Sequence, residues 1–384
     1  MTAPLIYLIA GEPSGDQLGA HLMRALKTET QGEVRFAGIG GEQMAAEGLD
    51  SLIPMGELAI MGFLEVLPAT VRLMRRLKET VADIKAQAPA AVVTIDSWGF
   101  TGRVQAALRD QGVATQRIHY VAPMVWIWKA GRAKAVATRV EHLLCLWPFE
   151  PALFTPHGGQ ASHVGHAVIE AGLDRGDASA FRRRHGLAED APILLVLPGS
   201  RKGELRRLVP VFAEVVRALA PGRPDLQVVI PTLAHLRAKL EAETRDWPVP
   251  VCVVGGEEKA DAFAAARAAL AASGTISLEL ALAGVPHLVA YKVNPASAFL
   301  FRRVLLPGRR FVNMINILLD RLVVPELLQE ACTAKRLEKT LQGLMDDETV
   351  RAQQRAGLKE AVALLHGGDD KPSVIAARQI LAKI

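Results

Sequence analysis

The chain has 384 residues, of which 50% are hydrophobic and 22% charged, which excludes both an intrinsically disordered protein and a disulfide-stapled miniprotein. Its formal net charge of +5 favours an anionic partner, but aromatic residues are only 5% and lie mostly in apolar runs, which argues against stacking of nucleic-acid bases. We therefore expect two or three globular domains and a phosphorylated small molecule or an anionic lipid as partner, with no nucleic acid.

Short apolar runs alternate with longer amphipathic segments, a pattern typical of βα units around a parallel sheet. In the first half the predicted strands are LIYLIA, VRFAGIG, AVVTID, RIHYVAP, HLLCLW and SHVGH, and a helix is predicted over 68–87. The polar stretch 173–192 has no apolar period of its own and is predicted to connect two domains. After it the predicted strands are ILLVLPGS, LQVVIP, VCVVGG, AALAASG and HLVAYK, and beyond about residue 310 only helices are predicted.

This pattern predicts an α/β protein with two doubly wound domains and a helical tail. The expected boundaries are 1–170 for the first domain, 190–345 for the second and 346–384 for the tail helices. Ligands of such sheets bind at the carboxyl ends of the strands, so the loops that follow the strands are the candidate binding loops.

The three cysteines and the N-terminus favour a cytoplasmic protein. Cys145, Cys252 and Cys332 are far apart and form no zinc-type spacing, which is typical of reduced thiols in the cytosol. The N-terminal segment has no basic region before its short apolar run, unlike a signal peptide. No stretch reaches the ~18 uncharged apolar residues that a membrane-spanning helix needs, so any membrane contact is expected at the surface.

The loop after the first predicted strand, residues 11–16, is rich in small residues. It lacks the Gly-Lys-Ser/Thr ending of a P-loop, and the downstream Gly-Ile-Gly-Gly run has Gln43 where a dinucleotide fingerprint needs its third glycine. Ser14, Gly15 and Asp16 form either a ligand loop at a helix N-terminus or a tight turn in which Asp16 caps that helix.

Asp96 ends the apolar run Ala91–Ile95 and precedes Ser97 and Trp98. A carboxylate at the carboxyl end of a buried parallel strand lies where ligands bind, and there it can act as a general base toward a substrate hydroxyl. The same position suits an N-cap of the next helix. Position alone leaves both interpretations open.

The loop that opens the second domain, LPGSRKGE over 197–204, has the residue types of a phosphate-binding turn. Gly199 allows a ligand to approach the backbone closely, and the Ser200 hydroxyl can bond an oxygen. The Arg201 guanidinium can form a bidentate pair of hydrogen bonds with a phosphate. The alternative is a surface turn with a solvated arginine.

A second loop of the same domain complements the first. Ser273, Gly274 and Thr275 precede a predicted helix and offer amide donors to a phosphate. Glu279 follows one turn later, where it either accepts two sugar hydroxyls or completes a capping box. Together the two loops predict a sugar-nucleotide site.

Neither a metal nor a cofactor is expected. The chain contains no Asp-x-Asp motif, and its two Asp-Asp pairs at 346–347 and 369–370 fall in the helical tail. A carboxylate-bound Mg²⁺ for a diphosphate is therefore unsupported, which leaves Arg201 and helix ends to neutralise a leaving group.

The segment 61–67 is too apolar for an ordinary loop, and the next helix carries basic residues outside a predicted apolar stripe. This arrangement fits either a lipid-binding surface or a packed loop beside a solvated basic face. The predicted stripe consists of Val71, Met74, Leu77, Val81 and Ile84. The candidate membrane patch consists of Met61, Phe63, Leu64, Val66, Leu67, Arg72, Arg75 and Arg76.

Ten motifs occur in the order in which they appear in bacterial lipid-A-disaccharide synthases, which the whole chain resembles. They are AGEPSGD, GIGG, IMGFLEVLP, TIDSWGF, YVAPMVWIWKAGRAK, WPFEP, HVGH, LPGSRKGE, SGTISLE and FVNMINILLD. The resemblance implies a GT-B fold of two Rossmann-like domains, with C-terminal helices that return to the first domain. It also implies a metal-independent, inverting transfer from UDP-2,3-diacylglucosamine to 2,3-diacylglucosamine 1-phosphate, which forms a β-1,6 disaccharide and UDP at the cytoplasmic face of the inner membrane.

The resemblance also assigns roles to single positions. It makes Asp96 the general base, places Arg201 against the UDP diphosphate, and assigns 61–67 to acyl chains or membrane. The matching nucleotide-binding residues are Gly199, Ser200, Ser273, Gly274, Thr275, Glu279 and Asn316, and the first loop, with Ser14, Gly15 and Asp16, falls on the acceptor side. Two positions depart from the family pattern, since Ala167 and Ile315 stand where prolines are common.

Two other functions stay open on the sequence. One is a UDP-sugar 2-epimerase-like enzyme on the same fold, which needs no lipid acceptor. The other is a noncatalytic protein that binds a sugar nucleotide or an anionic lipid. A homodimer is compatible with the synthase function that the resemblance implies.

Overall fold

The computed structural model describes residues 3–58, 66–126, 130–293 and 310–384, without the side chains of 66–70 and 130. The chain divides into two compact units. The first contains Met1–Ala167 and Leu365–Ile384, and the second contains Val168–Leu364. Each unit has a six-stranded sheet whose strand pairs are all parallel.

The sheet of the first unit has the strand order β2-β1-β3-β4-β5-β6. Its strands are β1 (Leu5–Ala10), β2 (Arg35–Ile39), β3 (Ala91–Ile95), β4 (Gln116–Tyr120), β5 (His142–Cys145) and β6 (Gln160–His163). The helices of this unit before its C-terminal part are α1 (Pro13–Glu29), α2 (Glu42–Ala46), α3 (Val66–Gln87), α4 (Trp98–Asp110), α5 (Ala133–Ala137) and α6 (Pro151–Phe154). Each of the six predicted strand runs overlaps one observed strand.

The sheet of the second unit has the order β12-β11-β10-β7-β8-β9. Its strands are β7 (Ile193–Leu197), β8 (Gln227–Pro231), β9 (Val251–Val254), β10 (Ala268–Ala272), β11 (His287–Tyr291) and β12 (Glu326–Leu328). Its helices are α7 (Ala178–Arg184), α8 (Lys202–Leu219), α9 (Ala234–Thr244), α10 (Lys259–Ala264), α11 (Ile276–Leu282), α12 (Met314–Leu319), α13 (Ala334–Asp346) and α14 (Glu348–Leu365). The last helix of the chain, α15 (Pro372–Leu381), belongs to the first unit.

The central strands form continuous apolar runs because both faces of each sheet are covered. Every residue of β1, β3, β7 and β10 is buried. Strands that are buried on both faces have little need for alternating polar residues, which explains runs such as LIYLIA and ILLVL. The apolar character of these segments was therefore sufficient to predict them as strands.

Each sheet reverses its strand order at one point. In the first unit β1 lies between β2 and β3, and in the second unit β7 lies between β10 and β8. Ligands of open α/β sheets bind at such switch points, outside the carboxyl ends of the strands. In the second unit the switch point puts the loop after β7 beside the loop after β10, and in the first unit it puts the residues after β1 beside those after β3.

Three predictions about organisation differ from the structure. The stretch 173–192 is not a bare connection, because its helix α7 packs Phe181 into the core of the second unit. The segment beyond 310 is not wholly helical, since β12 pairs in parallel with β11. Three residues are too few to show the alternation of a strand in the sequence. The strand conformation of β12 therefore depends on its hydrogen bonds to β11. The tail predicted over 346–384 divides at Leu365, and only its last part, with α15 against α1, lies in the first unit.

No helix within the described ranges is long and apolar enough to cross a membrane.

Candidate functional site

The turn after β3 holds Asp96 in a left-handed backbone conformation. Asp96 has φ +51° and Ser97 has φ +45°, although neither is glycine. Each such residue costs about 1–3 kcal/mol, and strain of this kind is concentrated at functional sites. The turn is fixed by the Asp96 amide, which donates to the Tyr120 carbonyl at 2.9 Å, and by the Thr101 hydroxyl, which donates to the Asp96 carbonyl at 2.7 Å.

The structure separates the two interpretations of Asp96. The N-cap of α4 is Ser97, so Asp96 does not occupy the capping position. The Ser97 hydroxyl is buried without a hydrogen-bond partner among the described residues, and it packs against Gly11 at the end of β1. The half-buried Asp96 carboxylate therefore lies at the switch point of this sheet without a capping role.

Asp16 has a structural role that differs from both sequence interpretations. Helix α1 begins at Pro13, so Asp16 lies in its first turn and is only 4% exposed. Its carboxylate accepts from the amides of Gly41 at 2.7 Å, Gln43 at 3.0 Å and Met44 at 3.1 Å. Asp16 thus caps α2 and not its own helix, and its carboxylate is turned away from solvent. Ser14 is exposed on the first turn of α1.

The basic face of α3 is more apolar than predicted. Leu77, Val81 and Ile84 are buried as expected, but Val71 is 73% exposed and Met74 is 43% exposed. The predicted stripe is therefore wrong at its N-terminal end, where Leu73 is the buried residue. Among the described side chains of the helix, Leu73 is the first that is buried, and Val71 faces solvent.

Exposed basic residues flank these apolar side chains. Arg72 and Arg75 are exposed, whereas Arg76 pairs with Glu57 at 2.7 Å and Glu79 at 2.7 Å. Arg76 is therefore engaged within the protein. Of the remaining patch residues, Met61, Phe63 and Leu64 lie outside the described residues, as do the side chains of Val66 and Leu67.

Glu150 is a buried carboxyl group that the sequence analysis did not single out. It follows β5 and is 1% exposed, and its carboxyl oxygens accept from the Trp126 indole at 3.2 Å and from the Trp147 amide at 3.2 Å. Burial raises the pKa of Glu150 from 4.5 to about 7, against the lowering effect of these two donors. The carboxyl fixes Trp126, which lies in the loop after β4.

Because the pKa of Glu150 is higher in the folded than in the unfolded chain, folding retains a proton between about pH 4.5 and 7. We expect the free energy of unfolding to fall as the pH rises through this window, by up to about 1.4 kcal/mol per pH unit. Glu150→Gln should remove this slope, and the exposed Glu33→Gln should keep it. Urea unfolding at a series of pH values from 4.5 to 8 measures both, and equal slopes in all three proteins would contradict the prediction.

In the second unit, the loops after β7 and β10 line one cavity of about 540 Å³. Seven of the predicted nucleotide-binding residues therefore line the same cavity. The lining residues include Gly199, Ser200, Arg201, Ser273, Gly274, Thr275 and Glu279. Asn316 is absent from this lining.

The Arg201 loop is shaped around Glu204. Gly199 has φ +106°, which favours glycine, and a Cβ there would lie 2.9 Å from the Glu204 Cβ. One Glu204 oxygen accepts from the amides of Ser200 at 3.1 Å and Arg201 at 3.3 Å, and the other accepts from the Arg201 guanidinium at 3.1 Å. The Arg201 side chain is 82% exposed. An exposed pair of this kind contributes ~0–1 kcal/mol, so the guanidinium is free to turn toward an anion.

Lys259 is a cavity residue that the sequence analysis missed. It begins α10, lines the cavity, and donates from its ammonium group to the Glu279 carboxylate. Within the described chain the Thr275 side chain forms no cap bond to α11, so Glu279 serves this ion pair and not a capping box. A single lysine in the run GEEKAD resembles any solvated surface residue, and no sequence signal links it to a loop 20 residues later.

Asn316 supports the fold of the second unit. It is fully buried, and its amide donates to the Val324 carbonyl at 2.8 Å and to Glu326 at 2.6 Å. Its side-chain oxygen accepts from the amides of Val323 and Val324. These bonds hold α12 to β12. The structure does not support the predicted contact of Asn316 with a nucleotide, because its side-chain nitrogen and oxygen both bond to groups of the protein.

Solved structures resemble the whole chain. The kitacinnamycin glycotransferase has a TM-score of 0.63 at 16% identity and covers 100% of both chains. A UDP-GlcNAc 2-epimerase from Neisseria meningitidis bound to UDP-GlcNAc has a TM-score of 0.59 at 12% identity, covering 99% of this chain and 98% of its own. At these identities the likeness shows the fold alone. It confirms the predicted α/β architecture of the GT-B type.

The sequence comparison identifies the family. The model of the lipid-A-disaccharide synthetase family matches residues 6–379. The lipid-A-disaccharide synthase of Paramagnetospirillum magneticum is 51% identical over 377 residues, which cover 98% of this chain and 97% of that protein. The chain belongs to the lipid-A-disaccharide synthetase family.

Proposed function

We propose that the chain is an inverting glycosyltransferase that joins UDP-2,3-diacylglucosamine to 2,3-diacylglucosamine 1-phosphate, releasing UDP and a β-1,6-linked lipid A disaccharide 1-phosphate. The observation that carries the proposal is the 540 Å³ cavity that joins the Arg201 and Glu279 loops in a chain of this family. A guanidinium suits a diphosphate, and a carboxylate suits the hydroxyls of a ribose.

In the proposed reaction Asp96 accepts the proton of the acceptor 6-hydroxyl as the oxygen attacks the anomeric carbon of the donor. The bond from that carbon to the UDP oxygen breaks as the new glycosidic bond forms, which inverts the configuration. Arg201 binds the diphosphate and stabilises the negative charge that UDP acquires on leaving. Glu279, held by Lys259, binds the ribose. Ser14 is the candidate acceptor contact in the first loop.

The direct test is incubation of the purified chain with both lipid substrates, followed by mass spectrometry of the products. We expect UDP and a disaccharide 1-phosphate to appear in equal amounts. Epimerisation of the donor without an acceptor would favour the epimerase alternative. Binding of UDP without turnover of the donor would favour a noncatalytic protein.

Lys259 is expected to strengthen UDP binding. Lys259→Met leaves Glu279 without its partner, so the carboxylate is no longer held in place for the ribose. We expect roughly tenfold weaker binding of UDP, which is the effect of losing one charge-assisted bond. Lys259→Arg should restore part of the affinity, because it keeps the cation. Lys239→Met, which removes an exposed helix pair, is the matched control. Calorimetric titration with UDP measures the effect, and unchanged affinity in Lys259→Met would argue against this role.

Activity is expected to survive chelators. In the proposed reaction the Arg201 guanidinium stabilises the charge of the leaving diphosphate. We expect the initial rate in excess EDTA to stay within about twofold of the untreated rate, since no step needs a bound cation. Loss of activity in EDTA, restored by Mg²⁺, would refute the metal-independent mechanism.

We further propose that the face of α3 around Val71 and Met74 binds the membrane surface that holds the lipid substrates. Exposed Val71 and Met74 lie beside exposed Arg72 and Arg75, and apolar side chains flanked by cations favour anionic bilayers. Sedimentation with phosphatidylglycerol vesicles should therefore decrease in a Val71→Ser/Met74→Ser variant. Equal sedimentation of both proteins would contradict the assignment.

A further inference from the structure

The second unit contains another cavity, of about 270 Å³, at the opposite edge of its sheet. Its lining includes Pro192, which precedes β7, and Arg267, which precedes β10. The proposed nucleotide cavity lies after the same two strands. Five residues at about 3.3 Å each separate the two edges by roughly 16 Å. The second cavity is therefore distinct from the site of the proposed reaction.

The lining of this cavity is dominated by guanidinium groups. It consists of Arg182, Pro192, Ala265, Ala266, Arg267, Glu348, Arg351 and Arg355. Glu348 is the acidic member, and its carboxylate is shared by Arg351 and Arg355. The four cations come from α7, from the residue before β10 and from α14, so the fold, and not local sequence, brings them together.

Two of the arginines are held in place by backbone carbonyl groups. Arg182 donates to the carbonyls of Ala188 at 2.7 Å, Ala191 at 3.0 Å and Ala265 at 3.1 Å. Arg351 donates to the carbonyls of Leu344 at 3.0 Å and Met345 at 2.8 Å. These neutral acceptors fix both side chains, and of the two only Arg351 also pairs with a carboxylate among the described residues, that of Glu348. The cavity is therefore preorganised before any ligand enters.

Arg182 and Arg267 repel each other in this lining, while Glu348 pairs with the other two arginines. Burial and the nearby charge of Arg267 lower the pKa of Arg182, although Asp190 and Glu189 act in the opposite direction. Arg267 itself is exposed. Positive charges that crowd one another in this way gain stability when a multiply charged anion lies between them.

We propose that this cavity binds a phosphate-bearing anion between Arg182, Arg267 and Arg355. Guanidinium groups match the geometry of phosphate oxygens with paired N–H donors, and several of them converge here. The volume exceeds that of a lone phosphate and accommodates a phosphate with a small substituent. The site goes beyond the proposed function, because it is remote from the diphosphate of the donor.

Titration calorimetry of the full chain with pyrophosphate at low ionic strength tests the site. Because pyrophosphate can also enter the Arg201 cavity, all titrations are made in an Arg201→Ser background. We expect saturable binding there, weakened at least about tenfold by Arg267→Ser/Arg355→Ser. Arg183→Ser, an exposed arginine of α7 outside the lining, should leave it unchanged.

The variants are compared only after thermal unfolding shows that each is folded, and Arg355→Lys provides a variant that keeps the charge. Absence of saturable binding in the Arg201→Ser background overturns the proposal, as does equal affinity in the Arg267→Ser/Arg355→Ser variant. Neither result bears on glycosyl transfer, which is assayed separately.

The source of the phosphate is distinguished with vesicles. A decrease in binding to phosphatidylglycerol vesicles in the Arg267→Ser/Arg355→Ser variant, in which α3 is unchanged, together with competition by pyrophosphate, supports a lipid headgroup. The alternative outcome is saturable binding of pyrophosphate together with equal vesicle binding by the wild type and the Arg267→Ser/Arg355→Ser variant. That outcome supports a soluble phosphate compound. Both results support the anion site.

Discussion

Asp96→Asn is expected to lower kcat by ~10²- to 10⁴-fold, the usual contribution of a general base. The amide keeps the size of the side chain but cannot accept the proton of the acceptor hydroxyl. The backbone of the turn should be retained, because asparagine tolerates the left-handed conformation seen at Asp96 better than most residues. Its two backbone hydrogen bonds, to Tyr120 and from Thr101, do not involve the carboxylate.

Steady-state rates over a range of pH measure this effect. The variant should lose most of its rate at every pH in the range. Asp50→Asn, an exposed aspartate of the same unit, is the matched control and should behave as wild type. A near-normal rate for Asp96→Asn would show that the strained turn has another purpose.

Arg201→Met is expected to lower kcat/KM by ~10²- to 10³-fold, comparable to the loss of one donor that stabilises a developing charge. In the proposed reaction Arg201 is the cation that binds the leaving diphosphate. Methionine retains an unbranched side chain, and the exposed pair with Glu204 contributes little to folding. Both kcat and the affinity for UDP should decrease, because the guanidinium contacts the diphosphate before and during the reaction.

Arg206→Met is the control, since Arg206 is exposed on α8 and does not line the cavity. Initial rates at varied donor concentration separate kcat from KM for both variants. An unchanged kcat/KM in Arg201→Met would transfer the charge-stabilising role to another group, with Lys259 the other cation in the cavity lining.

The sequence predicted the loops of the nucleotide cavity because parallel strands carry their carboxyl ends to one edge. Arg201 and Glu279 are far apart in the chain, yet each lies within a few residues of the end of an apolar strand run, so their placement at one edge could be inferred. Lys259 could not be inferred in this way. It lies on a short helix after β9, and only the folded chain directs its ammonium group to Glu279.

Polar residues at loops proved harder to interpret than apolar runs. Asp16 was expected to cap its own helix or bind a ligand, but it caps α2, whose amides lie 25 to 28 residues away in the chain. A carboxylate accepts from any donor in reach, so its partner depends on tertiary structure. The same holds for Asn316, whose amide group serves α12 and β12.

By itself the sequence determined the α/β class, the strands of both sheets apart from β12, and the candidate loops at their carboxyl ends. These features depend on the hydrophobic period and on strand-to-helix turns, which are local properties. Only the tertiary structure decided which side chains meet: Lys259 with Glu279, Asp16 with α2, Glu150 with Trp126, and the four arginines around the second cavity. Pairing across elements depends on packing and on the direction of each side chain, which one stretch of sequence does not specify.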